Sequence, residues 1–170
     1  MEKKFVPENP YVFKTGSHQG QTMEDLFFKE AGFISWLKKK SGTLPYQLWQ
    51  HLAYLIEASK LLEVKMICPV CKKNKVKYFF LLPKNVVSER YTCCDNPTCR
   101  QAIRSRYQIE REFLIKFEAL EELPRKELKD KAGRLFKKVF GLPRKLQKNV
   151  SFELFKKAQI LKDGLQLNLF

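Results

Sequence analysis

Apolar and polar positions in the first 66 residues alternate briefly and then settle into helical spacing. Residues 11–16 are typical of a short strand that runs into a tight turn at 17–20, where glycines permit positive φ angles. A hairpin is expected there. Thr22 is followed at once by a methionine and two acids, a pattern that predicts a helix start because its hydroxyl can cap free N–H groups. Two short helices interrupted near Gly32 should follow, and Pro45 should open a longer one.

The helix after Pro45 is predicted to bury one face. The positions that recur at helical spacing on that face are Leu48, Leu52, Leu55, Ile56, Ser59 and Leu62. Trp36, Leu37 and Trp49 are expected to join the core, because aromatic and large apolar residues at helical spacing usually become buried.

The middle of the chain changes to a β pattern and then returns to a helical one. Residues 76–82 and 86–92 are rich in β-branched and aromatic residues, and the segment 83–85 between them predicts a turn. A helix is predicted from Arg100 to Leu123. The apolar positions on one face of this helix are Ile103, Tyr107, Leu114 and Phe117.

Two more helices are predicted near the carboxyl end. Pro124 should start the first, which glycine and proline stop at 141–143. Its predicted buried stripe consists of Leu128, Ala132, Leu135, Phe136 and Val139. The second, at 151–162, carries Leu154, Phe155, Ala158 and Leu161 and should break at Asp163 and Gly164. We expect the helices after residue 100 to pack together, giving three small modules rather than one large core.

Four cysteines have the spacing of a structural zinc site. Cys68 and Cys71 form one pair, and Cys94 and Cys99 form a second pair after 22 intervening residues. Four thiolates close a tetrahedron around Zn²⁺, and each short spacing lets two sulfurs reach one ion. Because four cysteine ligands leave no open position for substrate, the zinc should be structural rather than catalytic.

The pattern Cys-Pro-x-Cys followed by Cys-x4-Cys, with Asn96 and Pro97 inside the second pair, resembles the zinc ribbons of bacterial topoisomerase tails and other DNA-handling proteins. Cys93 could replace Cys94 as the third ligand, but the four-residue gap of Cys94 fits the ribbon pattern better. Cys93 is then a spare thiol.

Charge places the candidate polyanion surface after residue 66. The chain of 170 residues has a net charge of +15 and a pI near 9.7. Residues 1–66 have 9 basic and 7 acidic side chains, whereas 67–100 have 7 and 2, and 101–170 have 17 and 9. Nucleic acid is the usual partner of such a protein. The candidate phosphate contacts are Arg100, Arg104, Arg111, Arg134, Lys137 and Lys138.

Residues 11–40 resemble the small domain at the carboxyl end of exodeoxyribonuclease X-like proteins, which also occurs in stand-alone phage and bacterial proteins. The matching residues are Gly16, His18, Gly20, Thr22, Trp36 and Leu37. Ser17, Gln19 and Gln21 stand where that family has lysines. The resemblance therefore implies the fold of this domain, but neither a DNA-binding loop nor nuclease activity.

The last five residues resemble the pentapeptide with which bacterial polymerases and repair proteins bind the sliding clamp. That motif is usually Gln-Leu-(Ser/Asp)-Leu-Phe, and Gln166, Leu167, Leu169 and Phe170 match it. The resemblance implies that the three apolar side chains fill clefts on the clamp while the glutamine amide binds at the rim. Alternatively, the apolar residues fold back on the last helix.

These features predict a small modular α+β protein: a β-hairpin plus helices, a zinc ribbon, and then a basic helical region. The predicted units are an exodeoxyribonuclease X-like domain at 1–66, a zinc ribbon at 67–100, a basic helical region at 101–163 and a clamp-binding tail at 164–170. No apolar run approaches the roughly 18 residues of a membrane span, and the first thirty residues lack a signal-peptide core. A cytoplasmic location without membrane contact is expected.

The function that this pattern favours is a non-enzymatic, DNA-binding adaptor that docks on a bacterial-type sliding clamp. It would act in replication, repair or clamp-coupled transcription, inside a larger complex. Two alternatives remain open: an inhibitor or redirector of the clamp or RNA polymerase that touches DNA little, and a small nuclease or nuclease accessory subunit. Acidic residues scattered among lysines make two-metal hydrolysis the weaker of these hypotheses.

Overall fold

The protein has a mixed α+β fold, as the sequence pattern predicts. The computed structural model describes residues 5–82, 87–109, 113–116, 131–147 and 149–167. Within them, six helices and one three-stranded antiparallel sheet form the regular structure. The helices are α1 (Met23–Lys29), α2 (Ala31–Lys39), α3 (Tyr46–Ser59), α4 (Pro97–Tyr107), α5 (Lys131–Val139) and α6 (Val150–Leu167). The strands are β1 (Tyr78–Leu81), β2 (Thr92–Cys93) and β3 (Phe113–Lys116).

The hairpin predicted before α1 is present as a tight loop. Val12 and Thr22 form an antiparallel bridge, and the N–H of Gly20 donates to the carbonyl of Phe13 at 2.8 Å. Gly16 and Gly20 have φ values of +82° and +77°. Left-handed backbone at these positions is accessible to glycine without steric cost, which explains why the turn forms here.

The first two helices begin where the sequence predicts but break at a different residue. Thr22 caps α1, since its Oγ1 accepts a hydrogen bond from the N–H of Asp25 at 3.1 Å. The break falls at Glu30, whose φ of −137° is not helical. Gly32, where the interruption was expected, is buried inside α2. Pro45 precedes α3 as predicted, its fixed φ suiting a helix entry.

The predicted core face of α3 is confirmed, but the expected burial of Trp49 is wrong. All six predicted positions are buried, although Leu62 lies three residues beyond the end of α3; Leu37 is also buried, and Trp36 is half-buried. The Trp49 side chain is 44% exposed. One residue advances a helix by about 100°, so Trp49 is turned away from the core that its neighbour Leu48 enters.

The sheet places β1 at the centre, in the order β2-β1-β3. Phe79 of β1 lies opposite Thr92 of β2 on one side and opposite Ile115 of β3 on the other. The second predicted ribbon strand, 86–92, is mostly replaced by a 3-10 turn at Glu89–Tyr91 that leads into the two residues of β2. The predicted turn at 83–85 lies outside the described residues.

The single long helix predicted from Arg100 to Leu123 is wrong. Helix α4 ends at Tyr107, because Gln108 adopts a left-handed conformation with φ of +50°. Leu114 lies in β3, where it pairs with Phe80. Leu114 follows Tyr107 by seven positions, which fits either a continued helix or a strand after a turn. The free edge of β1 favours the strand.

Helices α5 and α6 pack on the amino-terminal helices, which differs from the expectation that the helices after the ribbon pack with one another. Helix α5 contacts α1, and α6 contacts α1 and α3. Leu135, Phe136 and Val139 are buried in α5 as predicted, and Gly141 ends it with φ of +68°. Leu128 and the side chain of Ala132 fall outside the described part of the chain. Buried residues of 23–62, of the ribbon and of these helices form one continuous core. The division into domains stays a prediction.

The predicted break after residue 162 is also wrong. Helix α6 continues through Asp163 and Gly164 to Leu167. A glycine inside a helix costs only about 1 kcal/mol, so the helix can extend across it. Across the part of the chain that the structure describes, no helix is both long and apolar enough to cross a membrane.

Candidate metal centre and its basic surroundings

The four predicted cysteines come together in the fold. The Sγ atoms of Cys68, Cys71, Cys94 and Cys99 all lie within 4.8 Å of one another. The Sγ atoms of Cys71 and Cys94 are 3.8 Å apart. A tetrahedral Zn²⁺ site with Zn–S bonds of about 2.3 Å has sulfurs about 3.8 Å apart. The cluster therefore has the dimensions of a four-sulfur metal site.

The first pair is held by a tight backbone knuckle. The N–H of Cys68 donates to the carbonyl of Asn74 at 2.8 Å, and the N–H of Lys72 donates to the carbonyl of Cys68 at 2.9 Å. Lys72 has φ of +54°, which turns the chain back under the sulfurs. Hydrogen bonds from the backbone N–H groups of Asn74 and Lys73 lower the pKa of the Cys71 thiol to about 6. This knuckle favours the thiolate that a metal requires.

The second pair lies where the chain enters α4. Asn96 caps this helix through a hydrogen bond from the N–H of Thr98 to its Oδ1 at 2.8 Å, and Pro97 occupies the first turn. The N–H of Cys99 donates to the carbonyl of Asn96 at 3.0 Å. Cys99 thus lies in the first turn of α4 beside the other three sulfurs, and burial raises the pKa of its thiol to about 12.

Cys94, not Cys93, joins the cluster. Cys93 lies in β2 opposite Tyr78 and is fully buried. Burial raises the pKa of the Cys93 thiol to about 12, so this side chain is a neutral, packed group. Adjacent residues of an extended chain project to opposite sides, which is why only one of the two cysteines reaches the site.

A set of polar residues surrounds the second knuckle on the surface. Asp95 accepts hydrogen bonds from the Lys77 ammonium at 3.1 Å and from the Tyr78 hydroxyl at 3.0 Å. The hydrogen bond from Lys77 lowers the pKa of the Asp95 carboxyl. The Arg100 guanidinium lies over the Tyr78 ring, 5.5 Å from its centroid. Sequence reasoning selected Arg100 alone, because these contacts join residues 17 to 22 positions apart.

Helix α4 presents two of the predicted phosphate contacts beside the cysteine cluster. Arg100 and Arg104 are one helical turn apart, so both lie on the same face of α4. Arg104 is exposed and Arg100 is half-exposed. Arg111, the third predicted residue of this group, lies outside the described residues. Tyr91 and Tyr107 contact each other edge to face, with ring centroids 4.9 Å apart.

The predicted contacts on α5 lie at a shallow cleft between α5 and the turn at 87–89. This cleft has a volume of about 420 Å³, and Arg134, Lys138, Ser88 and Glu89 contribute polar groups to its lining. Lys138 forms an ion pair with Glu89. Arg134 and Lys138 are exposed, as predicted.

Lys137, another of the candidate phosphate contacts, is less exposed than Arg134 and Lys138. It is half-buried, and its ammonium donates to the carbonyl of Arg144 at 3.1 Å. Burial lowers the pKa of the Lys137 amine. A partly buried ammonium that is engaged inside the molecule is less available to phosphate than the exposed Arg134 side chain.

Two of the four predicted clamp-binding residues fall within the described part of the chain. Gln166 and Leu167 belong to the last turn of this helix. Leu169 and Phe170 lie outside the described residues. The helix break predicted at Asp163 and Gly164, just before the motif, does not occur, and α6 continues there.

Comparison with protein-family models, with curated proteins and with solved structures finds no match for this chain. The resemblances drawn from its motifs therefore stay predictions, and the functional conclusion depends on the site.

Proposed function

We propose that this protein is a non-enzymatic, zinc-ribbon DNA-binding adaptor that docks on a bacterial-type sliding clamp. Its place would be in replication, repair or clamp-coupled transcription. The observation that carries the proposal is the four-cysteine cluster with exposed arginines on the helix that leaves it. A structural metal site that positions cations on a neighbouring helix is an arrangement suited to holding a phosphate backbone.

Zinc is the metal that suits this cluster best. Four sulfur ligands select zinc or an iron–sulfur centre, and the spacing of the pairs is that of a zinc ribbon. Three of the four sulfurs belong to buried residues, and Cys71 is half-buried. Four closed ligands leave no coordination position for a substrate, which supports a structural and non-catalytic role.

DNA contact would be mainly electrostatic. Arg100 and Arg104 on α4 and Arg134 and Lys138 on α5 offer side chains that pair with phosphate oxygens. The two helices are linked through the turn at 89–91, since Glu89 pairs with Lys138 and Tyr91 contacts Tyr107 of α4. In the proposed complex, cations on both helices act on one nucleic acid.

Alanine variants test this surface. We expect Arg104→Ala and Arg134→Ala each to weaken duplex DNA binding and to reduce the slope of log affinity against log salt by about 1, the change for one lost phosphate contact. Arg106→Ala is the matched control, because Arg106 is exposed on α4 but two residues from Arg104, on another face. Equal losses in all three variants would overturn the assignment of these particular residues.

The tail would bind the clamp by unwinding the end of α6. The groove-binding form of such a peptide is extended, whereas Gln166 and Leu167 are helical here. Terminal helical turns fray readily, and Gly164 weakens this one further. Release of the last residues therefore needs little free energy.

Deletion of residues 166–170 tests the docking step. The truncated protein should fail to co-elute with a bacterial sliding clamp, while duplex DNA binding stays unchanged. Leu169→Ala combined with Phe170→Ala should act like the deletion, because burying two such side chains contributes roughly 3 to 6 kcal/mol before ordering costs. Gln166→Ala should weaken binding less. Retention of the clamp by the truncated protein would show that the tail is not the docking motif.

A further inference from the structure

Helix α3 exposes two large aromatic side chains on one face. Tyr46 is 71% exposed and Trp49 is 44% exposed. They are three residues apart, so their side chains are neighbours on the helix surface. The Tyr46 hydroxyl accepts a hydrogen bond from the Gln50 amide at 2.9 Å, which fixes the direction of the ring. The two rings offer flat apolar surface to solvent at a fixed place in the fold.

Cations are concentrated on the segment that leads into α3. Lys38 and Lys39 end α2, Lys40 follows as its C-cap, and all three are exposed. A short turn at 41–43 then connects them to Pro45 and the start of α3, and the N–H of Thr43 donates to the carbonyl of Lys40 at 2.9 Å. Residues 1–66 are nearly neutral as a whole, but these three lysines make the charge of this segment locally positive.

We propose that this region binds single-stranded nucleic acid. We call it the α3 face and define it as Tyr46, Trp49, Lys39 and Lys40. Aromatic rings stack on any base, and lysines beside them neutralise the phosphates, which is how sequence-tolerant single-strand binding is built. A duplex hides its base faces, so the rings select single strands. An apolar peptide gains nothing from the lysines.

The proposal goes beyond the adaptor role and depends on neither zinc nor clamp docking. The adaptor uses α4 and α5 on duplex phosphates, whereas the α3 face needs unpaired bases. Variants in one surface should therefore leave binding at the other surface unchanged. Failure of either idea leaves the other standing.

Tryptophan fluorescence of the full-length protein tests the α3 face. Titration with oligo-dT and, separately, with oligo-U should quench the emission of Trp49. Both affinities should be well above the affinity for a duplex of equal length. The duplex is measured with the Arg104→Ala protein, in which the proposed duplex surface on α4 is weakened. Trp49→Ala should weaken single-strand binding by about 5- to 150-fold, the range expected for loss of one stacked base. Trp49→Phe keeps a ring and should retain most of the affinity. The ratio of the affinities for oligo-dT and oligo-U shows whether single-stranded DNA or RNA is preferred.

Two further variants control the result. Trp36→Phe changes the other tryptophan, which is half-buried against Phe33, and should leave binding unchanged. Lys39→Glu combined with Lys40→Glu should reduce affinity at least tenfold without touching a ring. Binding that survives both Trp49→Ala and the double lysine variant would overturn the proposal. So would a dimer in sedimentation that Trp49→Ala dissociates, since a second copy would then cover the face.

Discussion

Phe79 in β1 and Phe136 in α5 meet edge to face, with ring centroids 5.6 Å apart and both side chains fully buried. This contact joins the ribbon sheet to the helix that carries Arg134 and Lys138. The sheet is also continuous with the cysteine cluster, because β2 ends at Cys93 beside Cys94. Metal site and basic helix thus belong to one packed unit.

Removing the Phe136 ring should be among the most destabilising single changes. Phe136→Ala is expected to lower the free energy of unfolding by about 3 to 5 kcal/mol, since it deletes a fully buried aromatic side chain and leaves a cavity. Urea denaturation measures the change. Ile160→Ala, at a site 59% exposed, should alter it by about 0.5 kcal/mol or less. A similar small effect of Phe136→Ala would contradict the packing described.

Gly133 in α5 should reject alanine, although alanine normally favours helices by about 1 kcal/mol. A Cβ at this position would lie 2.4 Å from the backbone oxygen of Phe28, and that oxygen belongs to α1. Gly133→Ala should therefore destabilise the protein in thermal unfolding. Gly42→Ala is the control, because nothing lies within 4 Å of a Cβ there and its φ is not positive. A gain in stability from Gly133→Ala would mean that α5 lies farther from α1.

Stability should fall as pH rises because of one buried acid. Glu24 is 1% exposed, and burial raises the pKa of its carboxyl from 4.5 to about 7. The folded state therefore holds the proton that the unfolded state releases, and the stabilisation present below pH 4.5 is lost as pH rises to about 7.

Glu24→Gln should remove this pH dependence. Between pH 4.5 and pH 8, the free energy of unfolding of the natural protein should fall by roughly 3 kcal/mol more than that of the variant. Urea denaturation at each pH measures this difference. Glu8→Gln changes an exposed acid and should leave the pH profile as it is. Parallel profiles for the natural protein and Glu24→Gln would rule out a buried, protonated Glu24.

Zinc should be present at one ion per chain. Cys68→Ser and Cys99→Ser should each abolish zinc binding and unfold the ribbon, because metal binding supplies much of the folding free energy of such a module. Elemental analysis and circular dichroism measure the two effects. Cys93→Ser is the matched control, and it should keep its zinc. If Cys93→Ser loses the metal while Cys94→Ser retains it, the third ligand is Cys93.

Local sequence signals predicted the parts of the fold that local chemistry determines. Thr22 caps α1, Pro45 precedes α3, and Gly141 ends α5, each for a reason that lies in the chemistry of that residue itself. The four clustered cysteines were likewise identified from their spacing alone. Such features depend on residues that are close in sequence, so helical periodicity and the spacing of the cysteine pairs predict them.

Features set by distant contacts were not predictable from local pattern. The strand at 113–116 forms because β1 offers a free edge, and the sequence there also fits a helix. Likewise, α5 and α6 pack on α1 through residues more than a hundred positions away, as in the hydrogen bond from Ser151 Oγ to Asp25 Oδ1 at 2.7 Å. The exposure of Trp49 follows from which side of α3 those partners cover. Tertiary packing decides such features.

The most direct test of the adaptor role is the affinity of the zinc-loaded protein for a sliding clamp loaded on DNA. If the ribbon helices hold DNA while the tail holds the clamp, the two contacts add, and the dissociation constant should be at least tenfold lower than for clamp alone or DNA alone. Deleting residues 166–170 should remove that gain and leave the affinity for DNA. An affinity for the loaded clamp no higher than for DNA alone would contradict the account.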